Sequence, residues 1–127
     1  MTKEDKKLLI KDICARLPYG VKGLHRGEVH ELFTIDGREI NSACIQVDDY
    51  DAWFPVETFK PYLRLMSNMT HDEDVEYRDI MESGHYILPS QEYASIIDWL
   101  NEHHFDYRDL IYRGLALEAP EGMYTTE

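Results

Sequence analysis

The chain has 127 residues, of which 43% are apolar, and this length is enough for one domain with a sizeable core. Its formal net charge of −12 disfavours direct binding to nucleic acid, because affinity for phosphates comes from Lys and Arg that displace counterions. The sequence shows neither an apolar run of about 18 residues nor a signal-peptide pattern, so we expect a cytoplasmic protein that does not bind membranes.

The first predicted element is an N-terminal helix. Thr2 can cap its start, and Asp5 places negative charge in the first turn, where exposed N–H groups and the helix dipole favour it. Apolar residues recur at helical spacing up to about Arg16. Pro18 and Gly20 then end the helix.

Extended runs follow this helix. The residue pattern predicts strands at Val21 to His25, Glu28 to Ile35 and Arg38 to Val47. Arg26-Gly27 and Asp36-Gly37 are the turns between them, and the second pair predicts a two-residue hairpin. In the third run Ile40 is out of phase with the later apolar residues, which predicts either a bulge near Asn41 and Ser42 or a sheet covered on both faces.

An acidic loop leads from the third strand into an aromatic segment. Its carboxylates do not match a calcium-binding EF-hand, because the twelfth position counted from Asp49 is Lys60 rather than Glu. Tyr and Trp side chains anchor many protein interfaces. We therefore predict an interaction surface formed by Asp48, Asp49, Tyr50, Asp51, Trp53 and Phe54.

A short acidic helix is predicted from 71 to 81, because Thr70 and Glu73 form a capping-box pattern. The carboxylates near its start could hold a divalent cation together with the neighbouring histidine. The helix dipole already explains acidic residues in a first turn, and only Asp72 and Glu76 lie one full turn apart. We therefore expect no metal at this helix.

The clearest helical periodicity lies between residues 90 and 120. A first helix carries an apolar stripe that includes Leu100, with Trp99 beside it. Asp106 can cap a second, shorter helix, which Gly114 then ends. The pattern therefore predicts a C-terminal helical pair.

The adjacent histidines and the two cysteines do not form the pattern of an active site. His103 and His104 lie near Asp106, but adjacent helical residues point about 100° apart and do not easily serve one acid/base site. Cys14 and Cys44 form neither a disulfide framework nor a zinc motif, so we expect buried free thiols. We predict no catalytic residue and no cofactor.

Three segments of the chain carry a resemblance to other proteins. They are LLIKDICARLPYGVKG (8–23), FKPYLRLMSNMT (59–70) and IIDWLNEHHFDYRDLIYRGLALEAPEGMY (96–124), and they cover about half of the chain. These segments resemble a group of small uncharacterised proteins encoded by gut Bacteroides and related bacteria, often near prophages and other mobile elements. The group usually has Pro in place of Leu65 and Gly in place of Asp109. No activity is established for it, so the resemblance implies a bacterial or phage-related setting and assigns no functional residue.

These patterns together predict a single α+β domain over residues 1–127. It has an N-terminal helix, an antiparallel sheet of three to four strands, and the C-terminal helical pair packed on the sheet.

The charge distribution indicates the kind of partner. Residues 1–30 carry a net charge of +3 and the rest of the chain carries −15, so a basic protein is the expected partner. We expect a non-enzymatic protein-interaction or regulatory protein that binds through its acidic aromatic surface. Two alternatives stay open. One is an acidic decoy that mimics nucleic acid, as in phage counter-defence, and the other is a small enzyme, which would need a pocket joining titratable groups from distant segments.

Overall fold

The computed structural model describes residues 1–48, 51–83 and 89–124, and over these residues the chain is an α+β domain. The helices are α1 (Lys3–Arg16), α2 (His71–Ser83) and α3 (Pro89–Glu102). The strands are β1 (Lys22–His25), β2 (Glu28–Asp36), β3 (Cys44–Val47), β4 (Phe54–Pro55), β5 (Phe59–Leu63) and β6 (Leu117–Glu118). They form one sheet in the order β4-β3-β2-β1-β5-β6, in which β5 and β6 are parallel and the other neighbours are antiparallel.

The predicted α+β class and the N-terminal helix are confirmed, whereas the predicted sheet was too small. The described part of the chain forms six strands in a mixed sheet, instead of three to four antiparallel strands. Strands β4 and β6 are two residues long each, which is too short to produce an alternating pattern of apolar and polar residues.

Helix α1 begins with the predicted cap. The Asp5 backbone N–H donates to Thr2 Oγ1 at 3.0 Å, and the Thr2 backbone N–H donates to Asp5 Oδ2 at 3.2 Å. Each side chain therefore provides the acceptor for the backbone N–H of the other residue. Leu9 and Ile13 are fully buried against the sheet. Burying each of these side chains stabilises the fold by about 2 kcal/mol, which fixes α1 on one face of the sheet.

The predicted turn at Arg26-Gly27 is confirmed. Arg26 has a φ of 52° and Gly27 a φ of 84°, the left-handed values that a tight two-residue hairpin requires. The turn sets β1 against β2 with His25 opposite Glu28. Side chains of these two residues therefore share one face of the sheet.

The predicted hairpin at Asp36-Gly37 is wrong. Asp36 is still paired with Cys44, and residues 37–43 form a longer connection that contains a 3₁₀ turn at Ile40–Ser42. Lys6 Nζ on α1 donates to the Asn41 carbonyl oxygen at 3.3 Å, so this connection is packed against the helix. The bulge lies in β2 near Phe33, not near Asn41 and Ser42.

The second helix of the predicted C-terminal pair does not form. Asp106 does act as a cap, since it accepts hydrogen bonds from the backbone of Leu110 and Ile111, but it caps a series of turns that ends at Gly114. Asp109 has a φ of 60°, a left-handed value that interrupts a right-handed helix. Leu117 and Glu118 then pair as β6 with β5. The helix that packs against α3 is instead α2.

Three apolar clusters form the core. The largest lies between α1 and the sheet, and a second surrounds Leu63 and Leu110. The third joins α2 and α3 and contains Trp99, Leu100 and Phe105, which confirms the buried position that the apolar stripe predicted for Leu100. Among the described residues, none of the helices is both long enough and apolar enough to cross a membrane.

Candidate functional site

Residues 48–53 connect β3 to β4, and we call them the β3–β4 loop. The predicted interaction surface falls on this loop and on the first residue of β4. Asp49 and Tyr50 lie outside the described residues. The structure places Asp51 and Trp53 at the surface and brings Asp48 and Phe54 together with His30 and His25, respectively.

Asp48 fastens the start of the loop to β2. Its side chain accepts a hydrogen bond from the Glu31 backbone N–H at 3.0 Å and lies 2.5 Å from His30 Nδ1. Its own backbone N–H donates to the Glu31 carbonyl oxygen at 2.7 Å. The hydrogen bond from His30 is the largest of the effects that hold the pKa of Asp48 below its ordinary value. Asp48 therefore positions the loop and is not a free surface acid.

His30 lies between two carboxylates. Nδ1 faces Asp48, and Nε2 is 3.6 Å from an oxygen of Glu28. The side chain of His30 is only 10% exposed. This arrangement orients the ring, because the carboxylate of Asp48 selects the tautomer that carries a proton on Nδ1.

His25 lies beside His30 on the same face of the sheet and is almost completely buried. Its Nδ1 donates to the Thr58 carbonyl oxygen at 3.3 Å, since a carbonyl can only accept. Its Nε2 is buried with no hydrogen-bond partner among the described residues. Burial is the main cause that lowers the pKa of His25.

Phe54 fastens the end of the loop. Its ring centroid is 4.5 Å from that of His25, and the guanidinium carbon of Arg26 lies 4.7 Å from the Phe54 centroid. Successive side chains of an extended segment point to opposite sides, so a Phe54 ring turned inward leaves the preceding Trp53 turned outward. Trp53 is 51% exposed.

The acidic residues of α2 have hydrogen-bond partners of a different kind from those of the loop. Glu73 forms two hydrogen bonds with Arg64, at 2.6 and 2.7 Å, which lower the pKa of Glu73 to about 2. Glu76 accepts a hydrogen bond from Trp99 Nε1 at 3.0 Å. The predicted capping box between Thr70 and Glu73 is also present. Within the described ranges, no three His, Cys, Asp or Glu side chains are grouped as a metal site would require.

The two adjacent histidines after α3 have separate surroundings. His104 is buried, its Nε2 lies 3.1 Å from the Tyr19 carbonyl oxygen, and its ring stacks on Tyr124 at 3.9 Å. Burial is the main cause that lowers the pKa of His104 to about 4. His103 lies on the other side, 3.5 Å from Glu73. Asp106 binds backbone groups instead of either imidazole.

The prediction of buried thiols is wrong. Cys14 is free but exposed on α1, and Cys44 is free and half-buried on β3. Cys14 directly follows the buried Ile13 in α1 and so points about 100° away from it, and Cys44 alternates with the buried Ile45. Both thiols therefore belong to faces that the core does not cover.

A cleft of about 490 Å³ lies elsewhere, between the end of β5 and the chain after β6. It brings together Arg64, Glu118, Glu121 and Tyr124 from distant segments. Arg64 is already bound by Glu73, and the Tyr124 hydroxyl bonds to backbone groups of β1 and β5. Burial also raises the pKa of Tyr124, so this hydroxyl is a poor proton donor near neutral pH.

No protein-family model matches the chain, and no curated protein or solved structure is significantly similar to it. The resemblance to the Bacteroides group therefore stays a prediction.

Proposed function

We propose that the chain is a non-enzymatic protein-interaction or regulatory protein that binds a basic protein partner through the β3–β4 loop. The observation that carries this proposal is the indole of Trp53, which is 51% exposed. The residue after it, Phe54, packs against His25, and Asp48 binds His30 and the Glu31 backbone. Exposed tryptophans that become buried on binding are frequent anchors of protein interfaces.

The charge around this anchor supports a basic partner. Asp51 of the loop and Glu28 of β2 are exposed, and Arg26 contributes a positive charge beside the Phe54 ring. Acidic groups at the rim of an interface speed association with a basic surface, whereas burial of the aromatic side chain sets the lifetime of the complex.

The decoy alternative has less support. A nucleic-acid mimic needs carboxylates that are free and arranged along one face, as phosphates are. On α2, however, Glu73 is bound by Arg64 and Glu76 by Trp99, and on the loop Asp48 is bound by His30. These three acidic residues thus have internal partners at separate places in the fold.

The enzyme alternative also has less support. The cleft does join titratable groups from distant segments, but Arg64 and Tyr124 are both committed to internal hydrogen bonds. His30 has a carboxylate partner suited to acid/base chemistry, yet its side chain is only 10% exposed.

The first test is capture of partners from a bacterial lysate by the tagged chain, with bound proteins identified by mass spectrometry. We expect Trp53→Ala to lose a specific basic partner by about tenfold or more, because exposed tryptophans that become buried are frequent hot spots. Tyr112→Ala is the matched control, since Tyr112 is 92% exposed on a different part of the molecule. This variant should capture the partner as the parent does.

Two further measurements test the class of partner: capture at increasing salt concentration, and binding of the purified chain to DNA. Capture should weaken as salt rises, because added ions screen the acidic rim. Equal capture by Trp53→Ala and the parent would refute the proposed surface. Binding of the purified chain to DNA at physiological salt, with an affinity that matches any protein partner, would refute the proposed class of partner.

A further inference from the structure

The sheet has one face that α1 does not cover, and we call it the open face. On the covered face, Leu32 and Phe59 are buried in one cluster with Ile13 of α1. The alternate positions of β1, β2 and β5 point to the other side of the sheet. The open face consists of Lys22 and Leu24 of β1, Val29, Glu31 and Phe33 of β2, and Lys60 and Tyr62 of β5.

The open face exposes apolar side chains next to each other. Val29 is 51% exposed and Phe33 is 59% exposed. The half-buried Leu24 lies directly opposite Val29 in the neighbouring strand. The solvated face of an antiparallel sheet ordinarily carries polar residues at such positions. Adjoining exposed apolar side chains are typical of an interaction surface.

The open face differs in charge from the chain as a whole. Its two lysines, Lys22 and Lys60, against one glutamate, Glu31, leave it with a net charge of +1, whereas the chain carries −12. None of these three side chains forms an ion pair with another described residue. Two copies of this acidic chain therefore repel each other least where their open faces meet, and a strongly basic partner gains no attraction there.

The pairing of β1 with β2 makes the open face complementary to itself. Lys22 lies opposite Glu31, and Leu24 lies opposite Val29. A two-fold axis that runs along the strands between β1 and β2 exchanges the positions of the two strands. When two copies face each other about this axis, Lys22 of one copy lies over Glu31 of the other, and Leu24 lies over Val29. Symmetry forms each of these contacts twice.

We propose that the chain forms a homodimer in which the open faces of two copies pack against each other about this axis. Leu24 and Val29 form the apolar centre of the interface, as the inner faces of two aligned sheets do. Lys22 and Glu31 form an ion pair between the copies on each side of that centre. The dimer does not rest on the proposed function, because none of these residues belongs to the β3–β4 loop.

The first test is sedimentation equilibrium of the purified chain from about 1 µM to about 200 µM, the range in which modest interfaces dissociate. The mass should rise with concentration from 15.0 kDa toward twice that value. Lys22→Glu and Glu31→Lys should each weaken association by about tenfold or more, because each homodimer then opposes like charges at two positions.

An equimolar mixture of these two charge variants should dimerise again. In a mixed dimer each changed side chain faces a residue of opposite charge on the other copy, at both symmetric positions. The cross-strand pair within one copy cannot produce this recovery, because both of its members have the same charge in either variant. The mixture therefore separates a contact between copies from a contact within one copy.

The second test removes apolar area from the centre of the interface. Val29→Ser should weaken association by about tenfold, since the substitution acts twice in a two-fold interface. Val75→Ser is the matched control, because Val75 is a valine of similar exposure, 45%, on α2. It should keep the mass of the parent at every concentration.

Several results would overturn the proposal. One is a parent chain that stays at 15.0 kDa throughout the concentration range. Another is a dimer that Val29→Ser and Glu31→Lys leave unchanged, which would place the contact on a different surface. A mixture of the folded charge variants that stays monomeric also counts against it. If Lys22→Glu does not fold, the comparison of Val29→Ser with Val75→Ser decides.

Discussion

At the scale of single residues, the ion pair between Asp12 and Arg16 has a high desolvation cost, because both side chains are completely buried. Arg16 donates to Asp12 from Nε at 2.9 Å and from Nη2 at 3.1 Å, and Nη2 also donates to the Phe105 carbonyl oxygen at 2.6 Å. Arg108 adds a hydrogen bond to Asp12 at 2.7 Å. One carboxylate therefore balances two guanidinium groups and joins α1 to the segment after α3.

Asp12→Ala should destabilise the protein by about 3–5 kcal/mol, because it leaves Arg16 buried without its counter-charge. Urea denaturation near neutral pH measures this change. Arg38→Ala is the control, because the Arg38 side chain is 88% exposed in its ion pair with Asp36, and it should leave the denaturation midpoint nearly unchanged. Similar midpoints for Asp12→Ala and the parent would show that the buried pair is not required.

At the scale of elements, helix α2 is fastened to the sheet at its first turn. Glu73 binds Arg64, which follows β5, and it also accepts a hydrogen bond from the Thr70 backbone N–H at 2.9 Å. The Arg64 guanidinium lies 4.3 Å from the centroid of Phe105. The same carboxylate thus caps the helix and sets its position over the third core cluster.

Glu73→Gln should keep the cap and remove the ion pair. The ordinary pKa of Glu73 is 4.5 and falls to about 2 in the folded chain, so its contribution is fully present above about 4.5 and is lost as the pH falls toward 2. We expect the variant to be less stable than the parent by roughly 2 kcal/mol near pH 6, with a smaller difference at pH values of about 3. Urea denaturation at several pH values measures this.

Asp79→Asn, at an exposed position on the same helix, should show no such dependence on pH. A difference between Glu73→Gln and the parent that stays constant from neutral to acid pH would contradict the role given to the ion pair.

At the scale of the whole molecule, the net charge of −12 opposes compaction, because like charges are brought closer together by folding. The strongest internal pair, Asp12 with Arg16, is buried, and salt screens buried pairs much less than exposed charges. Added salt should therefore relieve the repulsion more than it weakens the attraction.

The melting temperature at neutral pH should accordingly rise as sodium chloride increases from about 20 mM to about 300 mM. Differential scanning calorimetry measures this shift. A steady fall of the melting temperature over the same range would show instead that screened ion pairs outweigh the net repulsion.

Local sequence patterns predict the features that depend on residues within about one helical turn of each other. The capping residues Thr2 and Thr70 satisfy backbone groups three positions away, and Arg26-Gly27 closes its hairpin through its own φ values. The apolar stripe of α3 likewise predicted that Leu100 would be buried. The α+β class follows from such local signals.

Contacts between distant segments, by contrast, depend on tertiary packing. Asp36-Gly37 carries a hairpin signal, but the connection packs against α1. The residues after Asp106 leave the helical pattern at Asp109, whose φ is 60°. His30 and Asp48 are 18 positions apart, and nothing local marks their contact. Pairing of β1 with β2 and of β2 with β3 brings them together beside His25, because strand register over the whole sheet, rather than local propensity, sets which side chains share a face.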